Sequence, residues 1–281
     1  VLLKDTYDNS SMDRRLESLK DFILDRGDLF VITGAGVSTG SGIGDYRDRD
    51  GRWKRPRPVS HQDFIRSHYW RQRYWGRSQL GYPSFLKAVP NLAHLALARL
   101  ESQKRLCGLV TQNVDRLHQK AGQKDVVDLH GRLDQVICMD CGVIVPRLDV
   151  QAWLEEKNPH LRNQSFQPAP DGDADMEMDF SSVEVPHCSI CGGILKPHVV
   201  FYGDSVDRRI VNVINSKVEK ADGVLVVGSS LMVFSSYRFI RHAHASGVPV
   251  AALNQGVTRA DDMFALKVEE PADRLDAIIE V

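Results

Sequence analysis

Short apolar runs that end in glycine or in a polar turn recur along the chain. They are rich in valine, leucine and isoleucine and do not alternate with polar residues, which is typical of parallel strands buried on both faces. These runs predict five strands, at Leu29–Thr33, Leu106–Thr111, 126–129, 224–227 and 248–253. Gly34, Gln112, His130, Gly228 and Asn254 each follow one of them.

Between the strands, apolar residues recur at helical spacing. This spacing predicts helices at 12–26, at 90–100, which Pro90 opens, and at 207–220. Alternating strands and helices predict a doubly wound α/β fold with a parallel, Rossmann-like sheet. In such a fold, ligands bind beyond the carboxyl ends of the strands.

Two stretches interrupt this alternation, one rich in arginine and aromatic residues and the other containing four cysteines. We expect them to form a smaller inserted helical and zinc-binding module, made of residues 48–83 and 132–196. The α/β domain would then consist of residues 13–47, 84–131 and 197–281.

Composition narrows the function classes. With 281 residues, 42% of them hydrophobic, the chain can form one large core and a smaller one. A net charge of −1 gives no global basic field for nucleic acid or a membrane surface, and no apolar run approaches the roughly 20 residues of a membrane span.

Residues 1–5 turn polar too soon for a secretory signal. The chain does not begin with Met, so the alternative that a targeting segment was cleaved before residue 1 stays open. We expect a cytoplasmic protein if the source is bacterial and a mitochondrial-matrix protein if it is eukaryotic.

Four of the five cysteines form two Cys-x-x-Cys pairs, Cys138/Cys141 and Cys188/Cys191. Four thiolates suit a closed tetrahedral zinc site, which has no open coordination position, so the ion would be structural. An iron–sulfur cluster is the alternative. Cys107 lies in an apolar stretch, and we expect it to be a small buried hydrophobe.

A glycine turn, Gly34-Ala35-Gly36, follows the first strand. Such a turn lets the backbone approach a pyrophosphate, and a following helix would add N–H donors. The dinucleotide fingerprint is incomplete, because Thr39 replaces its third glycine and no acidic residue ends a second strand about 20 positions later. A hydride-transfer dehydrogenase is therefore disfavoured and a nucleotide is not; a purely structural turn is the alternative. The glycine-rich continuation to Asp45-Tyr46-Arg47 is expected to be mobile and to fold over a ligand.

Polar side chains also follow the next two strands. Gln112 and Asn113 can each donate and accept hydrogen bonds, which suits ribose hydroxyls and a carboxamide; a helix cap by Asn113 or Asp115 is the alternative. His130 stands at a strand end before Gly131, and its ordinary pKa of about 6.5 suits a general base. Together with the zinc pairs, these motifs predict chemistry on a nucleotide.

In their order along residues 15–272, these motifs resemble those of the sirtuins, a family of NAD-dependent protein deacylases. Residues 71–75 and 169–173 resemble the class II branch, which includes the sirtuin 4 type and bacterial relatives. Tyr202-Gly203-Asp204 stands where the family often has Phe-Gly-Glu, and Gly44 where proline is common, so the cofactor loop is expected to be looser.

The resemblance implies NAD as a consumed co-substrate, one structural zinc, and acyl-lysine proteins or peptides as substrates. It implies His130 as the base, with Asn113 beside it. The implied NAD contacts are Gly34, Ala35, Gly36, Ser38, Asp45, Tyr46, Arg47, Gln112, Asn113, Val114, Asp115, Gly228, Ser229, Ser230, Asn254, Gln255, Gly256 and Ala272. The substrate peptide would pair as an added strand with segments that contain Val200, Phe201, Tyr202, Gly203 and Val233.

Acyl specificity gives a further expectation. The resemblance places Tyr74 and Arg77 at the acyl pocket, where a phenol and a guanidinium can hold a carboxylate. This predicts activity on succinyl or glutaryl groups besides or above acetyl; the alternative is that Arg77 is an ordinary surface arginine.

Two other function classes compete. Mono-ADP-ribosyl transfer to protein would use the same cofactor pocket. The ten Lys and Arg residues between Arg47 and Arg77, interleaved with aromatics, are compatible with a single-stranded nucleic-acid module, but such a module needs no His130 and the net charge is near zero. We expect a monomer that binds neither nucleic acid nor membranes.

Overall fold

The structure, a computed structural model, describes residues 9–55 and 58–279, with side chains from residue 12 onwards. The polar start at residues 1–5, Arg57 of the basic stretch and the last two residues of the predicted α/β domain lie outside the described residues.

The helices are α1 (Asn9–Leu24), α2 (His61–Arg66), α3 (His68–Leu86), α4 (Leu92–Ser102), α5 (Leu117–Lys120), α6 (Arg147–Lys157), α7 (Arg208–Lys220), α8 (Phe234–Ala245) and α9 (Arg274–Ile279). The strands are β1 (Leu29–Thr33), β2 (Leu106–Thr111), β3 (Val126–Asp128), β4 (Gly131–Cys138), β5 (Ile144–Pro146), β6 (Gln167–Pro168), β7 (Ala174–Asp175), β8 (Leu195–Val199), β9 (Gly223–Val227), β10 (Val250–Leu253) and β11 (Leu266–Val268).

Six parallel strands form the main sheet in the order β11-β10-β9-β1-β2-β3. Central strand β1 is buried throughout, and its successive side chains enter two different cores. Leu29 and Val31 pack with residues of α1, α4 and α9, whereas Phe30 and Ile32 pack with residues of α7 and α8. Both faces of the strand are therefore covered, which explains its non-alternating sequence. The predicted doubly wound fold is confirmed.

The element boundaries differ from the predictions at a few positions. Helix α4 begins at Leu92 and not at Pro90, because the side chain of Asn91 accepts hydrogen bonds from the first free N–H groups. Asp207 caps α7 in the same way. Strand β11 was not predicted, since its three residues, Leu266–Val268, include Lys267 and form no apolar run.

A second, three-stranded antiparallel sheet has the order β5-β4-β8. Residues of α2, α3 and α6 pack with it around Phe64, Tyr74 and Trp75. These three aromatic rings of the basic stretch are buried, so they are not available for stacking on bases. Helix α3 runs across the predicted domain boundary at 83/84, and β8 across the one at 196/197; the division into domains stays a prediction.

Within residues 9–55 and 58–279, none of the helices combines the length and the apolar character that a bilayer span requires.

Candidate active site

The carboxyl ends of the parallel strands bring the predicted motifs together at one edge of the main sheet. Backbone hydrogen bonds join the turns: Gly34 N–H donates to Val227 (3.3 Å) and Gln112 N–H to Thr33 (3.0 Å). These turns border a cavity of about 790 Å³. Of the predicted site residues, those that line the cavity are Ala35, Gly36, Ser38, Asp45, Tyr46, Arg47, Tyr74, Gln112, Asn113, Val114, Asp115, His130, Val200, Phe201, Tyr202, Gly203, Gly228, Ser229, Ser230, Val233, Asn254, Gln255 and Ala272.

Two predicted glycines lie behind the cavity wall. A β-carbon on Gly34 would come within 2.8 Å of Ser229, and one on Gly256 within 2.6 Å of the Arg49 Cα. Both positions therefore require glycine for packing of the turns that carry the lining residues.

The glycine turn is held by direct backbone contact. Gly36 N–H donates to the Gly228 carbonyl at 2.8 Å, and a β-carbon on Gly36 would meet that oxygen at the same 2.8 Å. The loop continues as two short 3₁₀ turns, Ala35–Val37 and Thr39–Ser41, and not as the α-helix considered from the sequence. The loop therefore offers an anion no long helix dipole, and the N–H groups of Gly36, Val37 and Ser38 donate within the protein.

A hydrogen-bonded chain connects this loop to the turn after β2. Asn113 Nδ2 donates to the Gly34 carbonyl (3.1 Å) and to Ser38 Oγ (2.9 Å), and Ser38 Oγ donates to Asp115 Oδ2 (2.7 Å). The other oxygen of Asp115 accepts from Leu117 N–H at 2.9 Å at the start of α5, although the N-cap residue of this helix is Arg116 and neither Asn113 nor Asp115. The chain fixes the loop relative to the polar turn.

The imidazole of His130 is oriented from both sides. Its Nδ1 lies 3.0 Å from the Gln112 carbonyl oxygen, which can only accept, so Nδ1 carries the proton. Nε2 is then unprotonated and accepts from the Ser235 hydroxyl at 2.7 Å. Burial lowers the pKa of His130 to about 4, although the bond to Gln112 opposes this shift. The ring is therefore neutral and basic at neutral pH. Ser235 was not predicted, since a serine at the start of a helix forms no pattern in the sequence.

The side-chain amide of Gln112 braces the same wall. Its Nε2 donates to Ser229 Oγ (2.7 Å) and its Oε1 accepts from Ser236 Oγ (2.9 Å). Gln112 thus joins the turn after β9 to the first turn of α8, beside His130.

The two segments expected to flank a peptide both reach this cavity. Val200 N–H donates to the His130 carbonyl at 2.8 Å, so the segment after β8 begins next to the imidazole. Val233 lies directly before α8 and lines the cavity as well. A peptide laid between these segments would pass His130.

The structure does not assemble the predicted Tyr74–Arg77 clamp. Tyr74 lines the cavity, but Arg77 does not: its Nε donates to the Ala174 carbonyl (2.6 Å), and its guanidinium lies 3.9 Å from both Asp173 and Asp175. Asp171 and Asp173 belong to the class II-like segment 169–173 but were not predicted as site residues; they occupy the wall beside Tyr74 instead. Burial raises the pKa of both carboxyls and of the Tyr74 phenol.

The four cysteine sulfurs lie within 4.8 Å of one another, away from this cavity. The Cys138–Cys191 sulfurs are 3.5 Å apart and the Cys141–Cys188 sulfurs 3.7 Å, too far for disulfides of about 2.05 Å. A tetrahedron with Zn–S bonds of about 2.3 Å has edges of about 3.8 Å, so the tetrad fits a zinc ion. In each pair, a glycine of positive φ, Gly142 or Gly192, donates its N–H to the first cysteine's carbonyl.

Comparisons with known proteins place this architecture in one family. A model of the Sir2 family matches residues 34–235. The chain is 53% identical to "NAD-dependent protein deacetylase 2" of Bradyrhizobium diazoefficiens over 90% of its length and 93% of the relative. It is 45% identical to "NAD-dependent protein lipoamidase sirtuin-4, mitochondrial" of Bos taurus, over 95% and 86%. A solved structure of Sir2 with a p53 peptide and NAD⁺ superposes with a TM-score of 0.75 at 27% identity, over 93% and 95% of the two chains.

This chain belongs to the Sir2 family. The likeness to a sirtuin-4 is consistent with the class II branch, as the motifs predicted. The compartment expected from the sequence stays a prediction.

Proposed function

We propose that the protein is an NAD-dependent protein lysine deacylase, which transfers the acyl group of an acyl-lysine to the ADP-ribose part of NAD. One water is consumed when the lysine amine leaves, and the products are free lysine, nicotinamide and O-acyl-ADP-ribose. The neutral imidazole of His130 carries the proposal, because it stands where the glycine loop and the two peptide-flanking segments border one cavity. The names of the bacterial and bovine relatives, a deacetylase and a lipoamidase, support it.

Each wall of the cavity has its own task. Ala35, Gly36 and Ser38 border the pyrophosphate, and the turns after β9 and β10 border the adenosine half. Asn113 and Asp115 line the end of the cavity that receives nicotinamide, and each is fixed by a hydrogen bond to Ser38 Oγ. NAD, when bound, supplies the ribose carbon that the acyl oxygen attacks. His130 accepts the proton of a ribose hydroxyl, which then attacks the acyl carbon. The zinc site stabilises the small sheet and takes no part, since four thiolates leave no open position.

The test is incubation of the protein with NAD and an acetyl-lysine peptide. Mass spectrometry should find deacetylated peptide and O-acetyl-ADP-ribose in equal amounts. His130→Ala should lose at least about 100-fold in kcat, the usual contribution of a general base. His242→Ala is the matched control, because His242 pairs with Glu219 on the outside of α8. ADP-ribosylated protein without deacylation would support the transferase alternative, and undiminished turnover of His130→Ala would contradict the proposal.

We further propose a preference for uncharged acyl groups, in place of the acidic ones predicted from Tyr74 and Arg77. An acyl carboxylate in this cavity would meet Asp171 and Asp173, while Arg77 is withdrawn behind Asp173. Acetyl and lipoyl groups, named in the relatives' activities, are both uncharged.

This preference is measured as kcat/KM on matched acetyl and succinyl peptides. The kcat/KM on the succinyl peptide should be lower by at least about tenfold, because the succinyl carboxylate would be buried at the wall formed by Asp171 and Asp173 without a positively charged partner. Arg77→Ala should affect turnover of both peptides equally. If Arg77→Ala lost kcat/KM on the succinyl peptide alone, the predicted carboxylate clamp of Tyr74 and Arg77 would be supported instead.

The substrates are acyl-lysine proteins or peptides, as the peptide in the neighbouring Sir2 structure supports. The expected monomer stays a prediction, and light scattering checks it.

A further inference from the structure

A hydroxyl group lies between the proposed base and the rest of its cavity wall. Ser235 is the second residue of α8, is half-buried and lines the cavity together with His130. Its Oγ is 2.7 Å from His130 Nε2. The neighbouring Ser236 points elsewhere, to Gln112 Oε1 at 2.9 Å and to the Val233 carbonyl at 3.0 Å, so only Ser235 serves the imidazole from this helix.

The bonding capacity of the imidazole makes this contact consequential. Nδ1 is committed to the Gln112 carbonyl as a donor, so Nε2 holds the only basic lone pair of the ring. That lone pair already accepts the Ser235 proton. A hydroxyl oxygen has two lone pairs of its own and can accept another hydrogen bond while it donates. As long as the Ser235–His130 bond stands, a substrate hydroxyl therefore reaches the base through Ser235 Oγ.

We propose that Ser235 relays the proton from the ribose hydroxyl of the nucleotide to His130. This rests on the proposed deacylase function. The ribose O–H bond breaks and its proton passes to Ser235 Oγ, while the original Ser235 proton passes to Nε2. Serine is regenerated, the imidazole becomes imidazolium, and the ribose oxygen is left with the electron pair that attacks the acyl carbon.

The surroundings of His130 are compatible with such a relay. The charged side chains of the described residues that line the same cavity are Asp45, Arg47, Asp48, Arg49, Lys54, Asp115, Asp171, Asp173, Asp204, Arg208, Arg238 and Glu270. None of them enters the shift of the His130 pKa, which follows from burial opposed by Gln112. A hydroxyl that donates to Nε2 stabilises the neutral ring, so its removal should make His130 more basic.

The experiment separates the two halves of the reaction by rapid quench. Nicotinamide release precedes the relay, whereas formation of deacylated peptide follows it. In Ser235→Ala, nicotinamide release should keep the wild-type rate while deacylated peptide forms about tenfold more slowly, as expected from the loss of one hydrogen bond to the reacting group. The acid limb of the peptide-forming step should move to higher pH. Ser235→Thr, which keeps the hydroxyl, should restore most of the rate.

Ser246→Ala, at the exposed C-terminal end of the same helix, is the matched control. Equal slowing of both steps in Ser235→Ala would show a merely structural role and overturn the relay. Unchanged rates in Ser235→Ala would overturn it as well. A wild-type protein that releases neither nicotinamide nor deacylated peptide would instead refute the proposed function.

Discussion

His130 keeps a neutral ring because the imidazole is buried and because Gln112 determines which nitrogen bears the proton. An unburied histidine would be partly protonated near its ordinary pKa of about 6.5 and would lose part of its basic form there. With a pKa of about 4, His130 is available as a base throughout the neutral range. The lowered pKa also makes His130 a weaker base, so it accepts the proton of the ribose hydroxyl only while that oxygen attacks the acyl carbon.

The pH dependence of activity follows from this shift. The acid limb of kcat/KM should lie clearly below pH 6.5, toward the value of about 4. Between these values the unfolded chain binds a proton at this histidine that the folded chain does not, so stability also falls as pH falls through this window. Initial rates on an acetyl peptide, with parallel unfolding measurements at each pH, test this; an acid limb at or above pH 6.5 in a folded protein would contradict it.

Single residues differ in how far the sequence could place them. Gln112, Asn113 and His130 follow apolar strands, so the rule for parallel sheets was enough to bring them to one edge. Ser235 is 105 positions from His130, and nothing local shows that its hydroxyl faces the imidazole. The orientation of Arg77 depends on Asp173 and Asp175 in a distant insert, which is why the expected clamp was not found.

Strand β8 carries a buried lysine that organises the peptide-flanking segment. Lys196 Nζ donates to the Val199 and Pro197 carbonyls, lies 3.8 Å from Asp204 and stands 4.6 Å from the centre of the Phe201 ring. One ammonium thus ties together the chain from β8 to Asp204. Burial lowers the pKa of Lys196 to about 8, against the attraction of Asp204.

Lys196→Met should raise the KM for the acyl peptide about tenfold, because charged hydrogen bonds that shape the segment are lost. The KM for NAD and kcat should change little, and Lys196→Arg should recover part of the affinity. In the wild type, peptide KM should rise as pH increases through about 8, where the ammonium loses its proton. His198 and Asp204, with His61 beside Asp204, are the other titratable groups at this position. Equal changes in both KM values would argue for a general loss of structure instead.

Elements buried on both faces could be predicted well, and short or inserted ones could not. β1 and β2 match their predicted bounds because each consists of an uninterrupted apolar run between polar turns. The ribbon of β6 and β7 has two residues per strand, and its position depends on packing against α3. Gly172, between these two strands, shows the close packing, since a β-carbon there would lie 3.3 Å from Phe85 of α3 and would collide with Leu133 of β4.

At the scale of the whole molecule, the four cysteines join the end of β4 to the segment that precedes β8. Cys138 ends β4, and Cys191 lies four residues before β8 begins at Leu195. Cys141 and Cys188 are 47 positions apart, so a bound zinc closes a long loop that includes α6 and the β6–β7 ribbon.

Removal of zinc by a chelator should therefore lower the melting temperature and abolish activity, and added zinc should restore both. Cys141→Ser should behave like the chelated protein, whereas Cys107→Ser, outside the tetrad, should retain one zinc per chain. Metal analysis alongside calorimetry measures this. Full activity in a zinc-free Cys141→Ser protein would refute a structural ion.

The position of β1 between β2 and β9 has a consequence for synthesis on the ribosome. One edge of β1 can pair as soon as residues 106–111 emerge, but its other edge waits for Gly223–Val227. The four cysteines, at positions 138–191, lie between β2 and β9 in the chain and leave the exit tunnel before β9 does. The nascent protein must therefore shield a half-built sheet while residues 112–222 are translated, and its nucleotide pocket closes only with the final quarter of the chain, which brings Gly228, Asn254 and Ala272.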